Sequence, residues 1–167
     1  MYTKDVLGGT GKVCIINGKE GKTDFVQRSE GFRKALEGTD IEILAEEYSD
    51  SDRTQAQTIM ENFLTTYPEI DLVFTASDDF GYGALNAIQA AGKAGQIKIV
   101  SIDGQQEVLQ AIKAGDWDLT IYQTPEMMAD KVVEVANRIF AGETIEEYNQ
   151  NTDYYLVTSE NVDDYLE

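Results

Sequence analysis

The chain has 167 residues, with 31 Asp plus Glu against 13 Lys plus Arg and a net charge of −18. A surface of that sign repels phosphate backbones and anionic lipid, which argues against nucleic-acid binding by this domain. With one cysteine and no histidine, an intrachain disulfide, Cys/His zinc sites and Ser-His-Asp or Cys-His catalysis are excluded.

Residues 1–10 read as a lead-in: "MYTKDVLGGTGKV" lacks the apolar core of a signal peptide. "LGGTGKV" (Leu7–Val13) has the glycines of a phosphate loop, but such a loop follows a strand and opens a helix, whereas this one precedes the first strand. "KVCIIN" (Lys12–Asn17) is short and continuously apolar, the pattern of a buried strand, and places Cys14 as a small core hydrophobe. Phe25–Gly38 has helical spacing and a glycine stop. Ile41–Tyr48 reads as a second strand. The run that follows puts Ile59, Met60, Phe63 and Leu64 on one helical face and stops before Pro68. Asp71–Ala76 is a third strand and Tyr82–Ala91 a third helix. Ile97–Asp103 is a fourth strand, "QEVLQAIKAG" a short helix, and Leu119–Gln123 a fifth strand. Pro125–Gly142 is a long helix with proline in its first turn, and Asp153–Thr158 a last strand. Nowhere does an apolar run approach the roughly 20 residues of a membrane helix.

Strands and helices in alternation, with apolar strands, predict an α/β domain: a Rossmann-like parallel sheet with helices on both faces. Ligands of such sheets bind at the carboxyl ends of the strands. At those ends stand Ser77 and Asp78 just past the third strand, Asp103 as the last residue of the fourth and Gln123 as the last of the fifth. Asp24 and Arg28, four apart on the second segment, share one helical face. Carboxylate, guanidinium and amide groups converging on one cleft suit a neutral, hydroxyl-rich ligand, because a hydroxyl both donates and accepts. Against that stands the plainer possibility that Asp24 and Arg28 form an ordinary surface ion pair. One of Asp78 and Asp79 is expected to cap the third helix. Asp79-Phe80-Gly81 matches a kinase tripeptide, but no glycine-rich loop and no histidine-bearing catalytic segment accompany it. No metal or cofactor is expected. A response-regulator receiver fails as well: the first strand ends in "ING" instead of an acidic pair, and the fifth lacks the lysine.

The segments "RSEGFRKAL", "SDSDR", "DLVFTASDDFGYGALNAIQAAG", "IVSIDG", "AIKAGDWDLTIYQTP" and "LVTSENVDDYL", taken in order, resemble the second half of type I periplasmic sugar-binding proteins. These are the ribose- and glucose/galactose-binding components of ABC transporters, which share a fold with the effector domain of LacI-type repressors. The resemblance implies one lobe of a two-lobe protein, no catalysis, and a monosaccharide, pentose or hexose, held non-covalently between lobes. It implies Arg28, Asp103, Gln123 and Asp24 as sugar ligands, with Ser77, and Asp78 beside it, offered from the third strand. Ser77 stands where the family usually has Asn, and Ser51 where an aromatic ring often stacks on the sugar; Tyr48 is a nearby substitute. An extracytoplasmic parent, an ABC permease partner and an absent N-terminal lobe, on which Pro125–Gly142 would pack, follow from the same resemblance. A LacI-type effector domain is the alternative. The apolar stripe on Pro125–Gly142 adds the expectation of a homodimer.

Overall fold

The structure, a computed structural model, describes residues 2–50, 52–146 and 152–167. A short helix α1 (Tyr2–Val6) turns through Gly8 and Gly9, both at positive φ, into β1 (Thr10–Asn17). The lead-in is therefore partly helical, and the first strand opens two residues before Lys12. The chain continues through α2 (Thr23–Ala35), β2 (Asp40–Tyr48), α3 (Arg53–Thr66), β3 (Leu72–Thr75), α4 (Asp78–Ala90), β4 (Lys98–Asp103), α5 (Gln106–Ala114), β5 (Leu119–Tyr122), α6 (Pro125–Phe140) and β6 (Tyr155–Thr158). A 3₁₀ turn at Val162–Asp164 follows.

The six strands form one sheet in the order β2-β1-β3-β4-β5-β6. All neighbours are parallel except β6, which runs antiparallel to β5. The sheet is thus mostly parallel, and the last strand departs from the all-parallel expectation. The central strands are apolar because they are covered on both faces: Val13, Cys14, Ile15, Ile16, Leu72 and Val73 have no exposed surface. Burial pushes the Cys14 thiol up to about 12, so it stays a neutral core side chain.

Right-handed crossovers put α2 on one face of the sheet and α3, α4 and α5 on the other. On the α2 face Phe32 stacks on Phe74, ring centroids 4.3 Å apart. On the opposite face α3 and α4 meet closely at Gly83. A Cβ there would stand 2.3 Å from the Arg53 carbonyl oxygen and 2.7 Å from the Gln57 nitrogen. Beside α2 the sheet is not fully covered: a groove of about 400 Å³ runs over it, bordered by Phe32, Phe74, Ile102, Ile121 and Leu156. Helix α6 carries no buried residue.

The α2–β2 edge is fastened by Glu46. Its carboxylate accepts from Ser29 Oγ at 2.7 Å and Asn17 Nδ2 at 2.9 Å, and pairs with Arg33. Burial alone would raise the carboxyl pKa of Glu46; the bonds from Ser29, Arg33 and Asn17 outweigh it and hold the group below its ordinary range.

Two outcomes test these contacts. Gly83→Ala should cost about 1–3 kcal/mol, because backbone atoms of α3 must move to admit the methyl group; urea unfolding of the two proteins reads this out. Glu46 has a folded-state pKa below its unfolded one, so its contribution is present above the ordinary Glu pKa and is lost as pH falls through the folded value. Glu46→Gln should lower stability near pH 7 by roughly 1–2 kcal/mol, and the gap from wild type should close as the pH is taken toward 3.

Candidate functional site

The chain leaves β1 toward β2 on one side of the sheet and leaves β3 toward β4 on the other. The crevice this creates lies at the carboxyl ends of the strands. Helix α2 reaches over it with Arg28, whose Nη1 donates to the Ala76 carbonyl at 2.7 Å and to Asp103 Oδ1 at 3.0 Å. Ser77, the residue before α4, donates from Oγ to Asp103 Oδ2 at 2.7 Å. The Asp78 amide, at the first turn of α4, points at the same oxygen from 3.4 Å, which sets the Asp103 carboxylate against the positive end of the helix. Arg28 and Asp103 are each about a quarter exposed, with side chains at 24% and 28%. Their remaining hydrogen-bonding capacity therefore faces the opening.

Asp103 has φ +142°, the one non-glycine positive φ among the described residues. Gly104 follows at φ +84°, and a Cβ there would lie 2.5 Å from the Tyr122 ring. A non-glycine residue held in that region costs of order 1–3 kcal/mol and persists only when its surroundings impose it. A cleft of about 410 Å³ opens here, lined by Arg28, Asp103, Gly104, Gln105, Tyr122 and Gln123. Gln123 turns its Nε2 to Thr152 Oγ1 at 2.6 Å.

Of the six residues singled out, the structure brings Arg28, Ser77 and Asp103 into direct contact and puts Gln123 in the same cleft. The other two are placed differently. Asp24 is exposed and pairs with Lys22 at 3.2 Å instead of with Arg28; the one-turn spacing put them on one face but not in contact. Asp78 is completely buried and presents nothing to a ligand. Its Oδ1 accepts from Ser101 Oγ at 2.5 Å and Thr120 Oγ1 at 2.8 Å, and its Oδ2 from Gly104 N at 2.9 Å and Gln105 N at 2.7 Å. Burial pushes its carboxyl above the ordinary range, and the Asp103 charge adds to this, against the hydrogen bonds it accepts.

The capping expectation is also corrected. Helix α4 begins at Asp78, four residues before Tyr82, and neither acid caps it. Asp78 turns into the sheet, and Asp79 pairs with Arg53 at 2.8 Å. Ser51 lies outside the described residues. Tyr48 ends the edge strand opposite Asn17 and does not line the cleft. Reading the sequence passed over Gln105 and Tyr122. Gln105 lies beyond the strand end, and Tyr122 stands inside β5, where alternation alone does not say which face it takes.

An open α/β lobe that gathers charged and amide side chains at the carboxyl ends of parallel strands is a ligand-binding lobe. The chain belongs to the periplasmic binding proteins: residues 1–144 match the family described as "Periplasmic binding protein domain". The ribose import binding protein RbsB of Salmonella typhimurium is 35% identical over 145 residues, which are 87% of this chain and 49% of that protein. The xylitol-binding protein of Mycolicibacterium smegmatis is 34% identical over 143 residues, 84% of this chain and 41% of that one. The solved structure of an ABC transporter periplasmic solute binding protein from Actinobacillus succinogenes, with bound D-allose, superposes with a TM-score of 0.90 at 29% identity, over 97% of this chain and 58% of the other. The chain thus spans about half the length of the curated relatives it matches.

Proposed function

We propose that this chain is one lobe of the sugar-binding component of an ABC importer that acts outside the cytoplasm and hands a monosaccharide to a permease. The observation that carries this reading is the Arg28–Asp103–Ser77 cluster at the open end of the sheet, with Gln123 beside it. Asp103 accepts from sugar hydroxyls, Arg28 donates to them, and Gln123 can do either. Sugar-binding relatives of this family support the choice of ligand class. The remaining half of such a protein would close the cleft from above, and Gln123 would sit at the hinge between the halves. Binding of this kind needs no covalent step and no metal: a pyranose or furanose is held by hydrogen bonds that gain strength when the two lobes exclude water.

A single lobe leaves its ligand open to solvent, and a hydrogen bond to a solvated group gains little. Calorimetry on this chain with D-ribose, D-allose or xylitol should show no affinity tighter than about the millimolar range; micromolar binding would overturn the half-cleft reading. In a two-lobe protein that carries this lobe, Arg28→Ala and Asp103→Ala should each cost about 2–4 kcal/mol of sugar affinity, since each leaves a buried polar partner unpaired. Ser77→Ala should cost less, because a neutral hydroxyl makes the weaker bond.

A second copy of this chain is the partner that the surface of α6 fits. Met128, Val132, Val133, Ile139 and Phe140 are exposed along it, Phe140 at 88%. Light scattering at moderate salt, which screens the acidic surface over roughly 8–10 Å, should give a dimer mass, and Val132→Asp should shift it toward monomer. A monomer mass at high protein concentration would show instead that the helix is content in solvent.

A further inference from the structure

Asp78 has no place in a sugar contact, yet it is the most completely engaged side chain of the site. Two of its donors, Ser101 and Thr120, stand opposite each other in the register of β4 and β5. The other two are the backbone amides of Gly104 and Gln105, the residues immediately after Asp103. One carboxylate therefore ties the first turn of α4 to two strands and to the loop that leaves β4. That loop begins with the strained φ +142° of Asp103, and nothing intrinsic to an aspartate favours this conformation. The surroundings must impose it, and the bonds from the Gly104 and Gln105 amides to Asp78 are the fixed points next to it.

We propose that Asp78 is the positioning residue of this site: by holding the Gly104 and Gln105 amides from beneath, it turns the Asp103 carboxylate up against Arg28 and Ser77, in the orientation that a ligand meets. The proposal rests on Asp103 being a ligand-binding group. Asp78 is suited to the task for three reasons. It sits at the start of a rigid helix, so its origin is fixed. Its two oxygens face different donor pairs, so rotation about the side chain would break both. It is sealed from water, so no solvent molecule competes for the amides. Asparagine can keep the lock, since its carbonyl oxygen can accept both amides while its NH₂ donates to Ser101 and Thr120, whose hydroxyls can accept. Alanine cannot.

The test uses the whole chain and two readouts by NMR. The first is amide hydrogen exchange at Gly104 and Gln105 in wild type, Asp78→Asn and Asp78→Ala. A core variant such as Ile88→Val serves as the control, with denaturant added until its overall stability equals that of Asp78→Ala. Exchange at these two amides should rise about tenfold or more in Asp78→Ala relative to that control, and stay near wild type in Asp78→Asn. Should Asp78→Ala not fold, Asp78→Ser replaces it, being too short to reach both amides. The second readout is titration with D-ribose at tens of millimolar, following the amides of Arg28, Ser77 and Asp103. Shifts seen in wild type and in Asp78→Asn should vanish in Asp78→Ala. Exchange at Gly104 and Gln105 that rises no more than in the matched control, or that rises equally in the asparagine variant, would overturn the positioning role. If no residue responds to sugar in the wild-type chain while the exchange result holds, the ligand reading of Asp103 is at fault, not the lock.

Discussion

The rest of this molecule depends on one constraint: short strands that are apolar on both sides must be covered on both faces. Val13 to Ile16 and Leu72 to Phe74 cannot lie at an edge or face water without losing most of their stabilisation, which is of the order of 25 cal/mol for each Å² of apolar surface buried. They therefore occupy the middle of the sheet, with helices above and below. That arrangement forces the crossovers to split at β1 and β3. The split in turn opens a crevice at the carboxyl ends of the strands, into which α2 lowers Arg28 and α4 presents its amino terminus.

Within that crevice the polar groups form tiers. The upper tier is Asp103 with Arg28, partly exposed and retaining hydrogen-bonding capacity, and Ser77, which is nearly buried beside them. The lower tier is Asp78 with Ser101, Thr120 and two backbone amides, entirely buried and fully satisfied. Burying a carboxylate costs several kcal/mol unless its lone pairs are used, and four donors around Asp78 offset that cost. A buried network in which every member is partnered rigidifies what it touches. Here it touches the loop whose first residue is the strained Asp103.

Two apolar surfaces stand apart from this economy. The groove beside α2 and the outward stripe of α6 both belong to a lobe that, among its relatives, makes up about half of a longer protein. The sheet is well packed where its own helices reach and open where they do not. A net charge of −18 opposes the approach of two such surfaces, and salt screens that repulsion.

How much of this could be read from residues alone varies with the physics of each feature. The fold class was legible because hydrophobic period and strand length are local: "VCII" and "LVFT" allow little but central parallel strands, and Pro125 and Gly142 punctuate α6. The family resemblance lay in short segments kept in order. The strand-end rule placed Asp103, Ser77 and Gln123 at one end of the sheet, since a parallel sheet presents its loops at one end whatever its details. What only the tertiary structure decided is which of two strand-end acids faces up and which faces down. In sequence, Asp78 and Asp103 are alike, each an aspartate near the carboxyl end of a strand. Asp78 became a buried brace because α4 starts four residues earlier than its spacing suggested. That start swings the side chain under the neighbouring strands, where Ser101 and Thr120 wait. The direction of β6, the separation of Asp24 from Arg28 and the strain at Asp103 were likewise settled at long range, by contacts between residues tens of positions apart that no local pattern encodes.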